Sequence, residues 1–440
     1  MNFEESVNYL LSLGNEVLSM KLGLENIGKL LTALANPQNN YHKVQVAGTN
    51  GKGSTCAFLE AICLSAGIKT GLFTSPHLIS ITERVRIDGE EISEADFARI
   101  ATKIRETSES LVEKDELECV PTFFEQVTAV GLYAFAEAGV ELAILETGLG
   151  GRLDATTAAN AEIAVITQID FDHQAILGET IEKIAAEKAA IVRKGSHVVI
   201  AGQRPEAMKV ILDRCDEAGA ASVSRDFNAV EENRPEVSIF SGKRGYPPVA
   251  LGLEGEHQRQ NAAAAVGAAE ILRDVFAHQI TVENICRGLE TARHAGRLEW
   301  WDRYGNAILF DGAHNPAGAG ALREYLELVA KDAQITFVFG AMHDKDILEI
   351  GGLLFPLAKN LILTRSSNTR STDPEELFKI AETIIDREKI FRVPDLWQAL
   401  DSAIEIAKGY SALRRSFICV TGSLYLVGEA QKLLNNKGYE

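Results

Sequence analysis

A glycine-rich segment that ends in a lysine carries the clearest chemical signal in the sequence. Residues 46–55 read Val-Ala-Gly-Thr-Asn-Gly-Lys-Gly-Ser-Thr and lie between a predicted strand and a predicted helix. A phosphate-binding loop requires this context, because glycines let backbone N–H groups face a phosphate and the helix N-terminus adds partial positive charge. Lys52 suits the β- and γ-phosphates of a nucleotide, and Ser54 or Thr55 could direct a hydroxyl toward phosphate or Mg²⁺.

The match to the P-loop pattern GxxxxGK[ST] is imperfect. Val46 occupies the position of the first glycine, and Gly53 follows the lysine. The competing interpretation is a glycine-rich turn with one surface lysine. We predict nucleotide phosphate binding by Thr49, Asn50, Gly51, Lys52, Gly53 and Ser54.

Composition limits the other classes of function. The chain has 440 residues, of which 46% are apolar and 24% charged, and a net charge of −18. These values exclude a collagen-like or fully disordered chain. The negative charge argues against binding nucleic acid or an acidic membrane through overall charge. The acidic start lacks a signal peptide's basic region, and the six scattered cysteines are typical of reduced thiols in a cytoplasmic protein.

Alternation of strands and helices predicts an α/β fold. Predicted strands cover 42–47, 68–73, 141–146, 162–167 and 197–201, and predicted helices cover 55–66, 125–138 and 180–193. We interpret the apolar stretch 127–145 as a buried helix and strand, not a membrane span, because Glu137 and Glu141 interrupt it. Residues 223–253 look less regular, and an Ala-rich helix is predicted over 257–276.

A second run of alternating elements begins near residue 297. The prediction is an N-terminal P-loop ATPase-like domain (1–296) with a mostly parallel sheet. It is followed by a smaller, doubly wound Rossmann-like domain (297–440).

Five further segments accompany the glycine-rich loop in a recognisable order. They are Thr-Ser-Pro-His-Leu at 74–78, Glu-Thr-Gly-Leu-Gly-Gly-Arg-Leu-Asp-Ala-Thr at 146–156, Asp-Gly-Ala-His-Asn-Pro at 311–316, Asp-Lys-Asp at 344–346 and Thr-Gly-Ser-Leu-Tyr at 421–425. Together with the loop at 48–54, they resemble the Mur ligase superfamily, and more narrowly its folylpolyglutamate synthase/dihydrofolate synthase family. The resemblance covers nearly the whole chain.

The resemblance implies an ATP-dependent amide ligase. Such enzymes transfer the γ-phosphoryl group of ATP to a carboxylate, and the amine of L-glutamate attacks the acyl phosphate, so that ADP and phosphate are released. The implied acceptors are reduced folates, whose glutamate tail is extended, and dihydropteroate, which becomes dihydrofolate. We expect a monomer with small-molecule substrates, and neither a nucleic-acid nor a membrane partner.

The same resemblance implies roles for individual residues. Ser75 and Glu146 would hold one Mg²⁺ and His173 would help to hold a second. Lys188 matches a lysine that is often carbamylated in the superfamily, and with Lys52 and His314 it would act in catalysis. Asn261 would contact adenine, and Arg297 and Asp311 would reach ATP. Segments matching the folate site contain Pro76, His77, Thr122, Phe123, Phe124, Glu125, Leu153, Asp154 and Ala155. A K⁺ cofactor is left open.

Ordinary structural roles compete with several of these assignments. They are a helix cap or ion pair for Glu146, a loop histidine bonded to a neighbouring carboxylate for His173, a solvated helix lysine for Lys188, a helix-surface amide for Asn261, an interdomain ion pair for Arg297, and core packing for Phe123 and Phe124.

Other functions also stay open. One is another Mur-type ligase, for peptidoglycan precursors or cyanophycin, although only 47 residues precede Gly48. Another is a non-catalytic nucleotide switch. Lys21 stands where many bifunctional members have Asp, which weakens the case for dihydrofolate synthesis more than that for chain extension.

Overall fold

The computed structural model describes residues 1–14, 23–233, 235–331, 333–409 and 416–436. Lys21 therefore lies outside the described residues. The chain forms two compact units. The first comprises Met1–Gly252 and Gln258–Arg293, and the second comprises Leu253–His257 and His294–Glu440.

An eight-stranded sheet forms the centre of the first unit, in the order β4-β3-β2-β5-β1-β6-β7-β8. All neighbouring strands are parallel except β2–β3 and β3–β4, which pair antiparallel. The strands are β1 (His42–Ala47), β2 (Thr70–Phe73), β3 (Val85–Ile87), β4 (Glu90–Glu91), β5 (Leu142–Glu146), β6 (Ile163–Ile166), β7 (His197–Ile200) and β8 (Ser222–Ser224).

Helices cover both faces of this sheet, so its central strands are buried along nearly their whole length instead of alternating between buried and exposed residues. Residues 42–47 read His-Lys-Val-Gln-Val-Ala, and only the first is exposed; every residue of β5 is buried. The helices are α1 (Phe3–Ser12), α2 (Glu25–Ala33), α3 (Lys52–Ser65), α4 (Glu94–Glu113), α5 (Phe123–Ala138), α6 (Gln174–Leu177), α7 (Ile181–Ala189), α8 (Pro205–Ala218), α9 (His257–Asp274) and α10 (Val282–Thr291). The interpretation of 127–145 as helix and strand is confirmed by α5 and β5.

The stretch that looked irregular in the sequence is a second, antiparallel sheet, formed by β9 (Phe227–Asn233), β10 (Glu236–Ser241), β11 (Arg244–Gly245) and β12 (Val249–Ala250). Part of its attachment to α9 is polar. The Glu270 carboxylate accepts hydrogen bonds from Ser241, from Arg244 at 2.9 Å and from the Tyr246 hydroxyl at 2.7 Å. These strands are short and the segment contains several prolines, so apolar and polar residues do not alternate clearly. The sequence pattern alone therefore did not predict them.

The second unit contains a six-stranded sheet in the order β13-β14-β18-β15-β16-β17, parallel except for the β13–β14 pair. Its strands are β13 (Glu299–Arg303), β14 (Asn306–Asp311), β15 (Gln334–Phe339), β16 (Ala358–Leu363), β17 (Ile390–Arg392) and β18 (Ser416–Thr421). Its helices are α11 (Pro316–Val329), α12 (Ile347–Leu354), α13 (Pro374–Ala381), α14 (Leu396–Lys408) and α15 (Leu424–Asn436). The predicted α/β class, with a mostly parallel sheet and a smaller doubly wound sheet, is confirmed. The split at 296/297 stays a prediction.

Gly288 gives a test of how closely α10 packs on α3. A Cβ at Gly288 would lie 2.4 Å from Ile62 Cα, a backbone atom that cannot rotate away, whereas a Cβ at Gly28 in α2 would meet nothing within 4 Å. We expect Gly288→Ala to lower the free energy of unfolding by about 1–3 kcal/mol. Gly28→Ala is the matched control and should raise it by about 0.5–1 kcal/mol. Thermal melts of both variants check this, and a Gly288→Ala melting temperature at or above the wild-type value would contradict it.

Candidate functional site

The glycine-rich loop follows β1, and two of its glycines are required by close contacts. Gly48 and Gly51 have φ angles of +158° and +84°. A Cβ at Gly48 would lie 1.8 Å from Thr167 Oγ1, and one at Gly51 would lie 2.1 Å from Asn261 Oδ1. Side chains cannot be accommodated at either position, so the loop backbone is left uncovered at the N-terminus of α3. The first residue of this helix is Lys52. The helix begins three residues before the predicted start at residue 55, which places Lys52 in its first turn.

Hydrogen bonds fasten this loop to the segment after β6. Thr49 Oγ1 donates to the Asp170 carbonyl at 2.9 Å and accepts from the Asp170 N–H at 3.0 Å. Thr167 Oγ1 donates to the Asn50 carbonyl at 2.7 Å. The loop is therefore preorganised by protein contacts alone.

Two lysines meet at one carbonyl oxygen of the loop. Lys52 Nζ donates to the carbonyls of Gly48 and Thr49, both at 3.2 Å, and Lys188 Nζ donates to the Gly48 carbonyl at 2.7 Å. Lys188, on α7, is 4% exposed, so its interpretation as a solvated helix lysine was wrong.

Burial, followed by the charge of Lys52, lowers the pKa of Lys188 to about 7, and Asp172 and Asp154 partly offset the shift. An appreciable fraction of Lys188 is therefore a neutral amine near neutral pH.

Glu146 and Ser75 lie beside the loop because of strand register. Glu146 pairs with Val46 of β1, and Phe73 of β2 pairs with Leu145. The Ser75 N–H donates to Glu146 Oε2 at 3.1 Å. Within the described part of the chain, the buried Ser75 Oγ has no hydrogen-bond partner. A carboxylate and an unsatisfied hydroxyl are hard oxygen donors, which fit Mg²⁺.

His173 comes just before α6, with a φ of +49°. Its N–H donates to Asp172 Oδ1 at 2.9 Å, and its Nε2 lies 3.9 Å from the same oxygen. The hydrogen bond to this carboxylate is therefore made by the backbone N–H of His173, and its ring nitrogen lies close to the same carboxylate. Among the described residues, no three His, Cys, Asp or Glu side chains form a cluster that could hold a metal.

Asp154 organises the loop after β5. Its Oδ2 accepts from the N–H groups of Gly148 at 2.8 Å and Leu149 at 3.0 Å, and its Oδ1 accepts from both the N–H and the hydroxyl of Thr156. Burial raises its pKa, and these hydrogen bonds oppose the rise. Asp154 therefore shapes the loop that carries Leu153 and Ala155, and its oxygens are engaged within that loop.

The predicted folate segments converge around the N-terminus of α5. Thr122 and Glu125 form its capping box, with Glu125 Oε2 accepting from the Thr122 N–H at 2.8 Å. Phe123 is buried, which supports core packing. Phe124 is partly buried, and a Cβ at Gly148 would lie 2.6 Å from its ring. The tip of the Phe124 ring therefore packs against the glycine turn.

Pro76 and His77 lie in the loop after β2, and two residues that the sequence analysis missed support it. Ser75–Pro76 is a cis peptide bond. His77 Nδ1 accepts from Arg84 Nε at 2.8 Å, and burial, with the nearby Arg84 charge, lowers the pKa of His77 to about 3. Glu83 binds the loop backbone. The capping-box pattern of Ser80 and Glu83 was a signal that could have identified Glu83.

Asn261 is also buried, at 7% exposure, so its interpretation as a surface amide was wrong. Its Nδ2 donates to Gln258 Oε1 at 2.9 Å, and Gln258 Nε2 donates to Ser54 Oγ at 3.2 Å. Gln258, which the sequence analysis did not single out, thus connects α9 to the first turn of α3.

Arg297, Asp311 and His314 come together within the second unit. The buried Asp311 carboxylate accepts from the N–H groups of Leu298 at 3.0 Å and Ala313 at 2.9 Å. Burial raises its pKa, and the Arg297 charge opposes this. A Cβ at Gly312 would lie 3.2 Å from Arg297 Nη1, and His314 Nδ1 is 2.8 Å from the Gly312 carbonyl.

Comparisons with known proteins agree with this architecture. Residues 46–269 match the family model for the Mur ligase middle domain, and residues 299–433 match that for the dihydrofolate synthetase C-terminal domain. The dihydrofolate synthase/folylpolyglutamate synthase of Bacillus subtilis is 34% identical over 96% of this chain and 97% of its own length. The chain spans about half the length of two haloarchaeal relatives named bifunctional folylpolyglutamate synthase/dihydropteroate synthase, 50% of the Haloferax volcanii protein and 51% of the Halobacterium salinarum protein.

Solved structures are similar over the whole chain. Escherichia coli FolC in complex with DHPP and ADP has a TM-score of 0.86 at 28% identity, covering 99% of this chain and 98% of that one. The Yersinia pestis bifunctional folylpolyglutamate synthase/dihydrofolate synthase, complexed with AMPPNP and a Mn ion, has a TM-score of 0.83 at 29% identity, covering 99% and 98%. None of the described helices is both long and apolar enough to cross a bilayer. The chain belongs to the dihydrofolate synthase/folylpolyglutamate synthase family of the Mur ligase superfamily, whose members are ligases.

Proposed function

We propose that this chain joins L-glutamate to folates in an ATP-dependent reaction, extending reduced folates and also converting dihydropteroate to dihydrofolate. The observation that carries the proposal is the register of β5 between β1 and β2. It sets the Glu146 carboxylate and Ser75 beside the lysine-bearing loop. An acid-activating phosphoryl transfer needs this combination of cations and oxygen donors, because it depends on positioning and charge neutralisation.

The residues have the following roles in this reaction. Backbone N–H groups of residues 51–54 receive the phosphates, with Lys52 neutralising the terminal group. The N–H groups of Thr49 and Asn50 both donate to the Gln168 carbonyl, at 2.9 Å and 3.3 Å, so these two residues shape the loop. A carboxylate oxygen of the acceptor attacks the γ-phosphorus of ATP, and the bond from that phosphorus to the bridging oxygen of ADP breaks. The glutamate amine then attacks the acyl carbon, the bond from that carbon to the phosphate oxygen breaks, and the amine loses a proton as the amide forms. We assign Asn261 to adenine, Arg297 and Asp311 to ATP, and His314 to catalysis. The folate ring is assigned to the surface that contains Phe124, His77 and the 153–155 segment.

Ser75 and Glu146 would hold Mg²⁺, with His173 assigned to a second ion, and bound Mg²⁺ would neutralise phosphate charge. The Yersinia relative with AMPPNP and a Mn ion supports the use of a divalent metal. K⁺ is a further cofactor candidate. The domain assignment 1–296 and 297–440, a monomeric state and a cytoplasmic location complete the proposal; all six cysteines are free thiols, as a reducing compartment favours.

The first prediction tests the reaction itself. Purified protein with ATP, Mg²⁺, L-glutamate and either dihydropteroate or tetrahydrofolate should release ADP and phosphate, with a product heavier by one glutamyl residue in mass spectra. Lys52→Ala should lower turnover roughly 100-fold or more, because it removes the cation at the phosphates. Lys209→Ala, an exposed lysine of α8, is the control and should retain activity. Phosphate release without a glutamylated product would contradict the proposal.

A second prediction concerns the oxygen donors. Ser75→Ala and Glu146→Gln should raise the Mg²⁺ concentration needed for half-maximal activity about ten- to a hundredfold, because each removes or weakens an oxygen ligand. Ser110→Ala on α4 is the control. Magnesium titrations of initial rate provide the measurement; unchanged half-saturation in both variants would exclude this pair as the metal site.

The third prediction concerns carbamylation of Lys188, which the lowered pKa supports because only a neutral amine attacks CO₂. As the pH rises through about 7, the neutral fraction rises, so carbamate formed with ¹³C-labelled CO₂ should increase between about pH 6.5 and 8.5 at constant dissolved CO₂. Lys188→Ala should abolish the ¹³C carbamate signal, and Lys183→Ala, an exposed lysine on the same helix, should retain it. A signal that survives Lys188→Ala would refute the assignment.

A further inference from the structure

Glu83 holds the backbone of the loop formed by residues 74–80. Its carboxylate accepts hydrogen bonds from three consecutive N–H groups, those of Leu78, Ile79 and Ser80, each at 2.6 Å. Hydrogen bonds to an ionised acceptor are roughly twice as strong as those between neutral groups. One side chain, in the 3-10 helix Ile81–Arg84, therefore fixes the second half of the loop.

Arg84 holds the side chain in the first half of the same loop. Its guanidinium is buried, with Cζ 5.4 Å from the centroid of the Phe123 ring, and its Nε donates to His77 Nδ1 at 2.8 Å. Because arginine only donates, His77 Nδ1 must accept, and the ring proton then lies on Nε2. His77 thus has a defined orientation and offers one hydrogen-bond donor.

The loop is also fastened at its start. The Thr74 N–H donates to the Arg84 carbonyl at 3.1 Å, and the Ser75 N–H donates to Glu146 at 3.1 Å. Between these points lie the side chains assigned above to metal and folate. Hydrogen bonds at both ends therefore restrain the loop backbone through protein groups alone.

We infer that Glu83 and Arg84 are positioning residues for folate binding, which together preset the 74–80 loop so that His77 presents its Nε2–H to an acceptor atom of the folate. Neither residue needs to touch the substrate. The inference rests on the proposed function. To that function, the inference adds two residues that position the folate-binding loop. It also adds that His77 acts as a hydrogen-bond donor to the folate.

Glu83→Gln tests the inference, with Glu90→Gln, an exposed glutamate of β4, as the matched control. In hydrogen–deuterium exchange of the ligand-free protein, amides in the peptide spanning 77–81 should exchange about tenfold faster in Glu83→Gln, because charge-assisted hydrogen bonds are lost. The KM for folate should rise about tenfold or more, while the KM for ATP stays within about twofold of wild type. Glu90→Gln should change none of these values.

The conservative variant Glu83→Asp keeps the carboxylate, so its exchange rate and its KM for folate should fall between those of wild type and Glu83→Gln. This variant keeps the inference testable if Glu83→Gln folds poorly.

The role of Arg84 is tested by the imidazole ¹⁵N shifts of labelled protein, which should show His77 with Nδ1 unprotonated and Nε2 protonated. The variant His77→Gln identifies the His77 signals. Unchanged exchange, equal rises in both KM values, or a protonated Nδ1 would overturn the inference. If the wild-type protein were inactive with every folate, the proposed function would be overturned, and with it the role of Glu83 and Arg84 in folate binding. Hydrogen–deuterium exchange would still show whether Glu83 holds the 74–80 loop.

Discussion

The close approach of backbone to side chain at Gly48 and Gly51 is the constraint on which the rest of the site depends. Thr167 and Asn261 occupy the volume that any side chain at these positions would need. The same closeness lets Lys52 and Lys188 converge on the Gly48 carbonyl. Burial of the Lys188 amine, followed by repulsion from the Lys52 charge, lowers the pKa of Lys188 to about 7. Lys52 therefore supplies a cation at the loop in a chain of net charge −18, and anionic substrates would require such a local cation.

Parallel strand register explains how distant sequence segments reach this loop. The loops after β1, β2, β5 and β6 all leave the sheet at the carboxyl ends of neighbouring strands, the edge where ligands of open α/β sheets bind. Glu146 lies one hydrogen-bonded strand away from Val46 although 100 residues separate them in the sequence. Lys188 lies on helix α7 and reaches the same region, because α7 packs close enough to the loop for the Lys188 amine to donate to the Gly48 carbonyl.

Much of this arrangement was predictable, and the exceptions have physical causes. The glycine-rich loop and the buried strands β1 and β5 were predicted, because local sequence dictates strand period and turn conformation. The burial of Lys188 and Asn261 was not, because a helical lysine or amide looks the same in sequence whether it faces water or a neighbouring loop. The start of α3 at Lys52 was missed because glycines weaken helix propensity, although the phosphate-loop turn favours it. Asp154 matched a ligand segment, yet its oxygens are engaged by N–H groups and a hydroxyl of its own loop.

The small antiparallel sheet has a consequence for how this chain can change in length. It is joined to α9 through Glu270 and through the Phe227 ring, which occupies the space beside Gly267. The turn between β10 and β11 contains Gly242 at a φ of +57°, where a Cβ would meet no atom within 4 Å. Extra residues or an affinity tag inserted at that tip would extend into solvent. Ser241 and Arg244 flank this tip and both bind Glu270, so an insertion between them must leave these two residues in place if the sheet is to stay attached to the helix that carries Gln258 and Asn261.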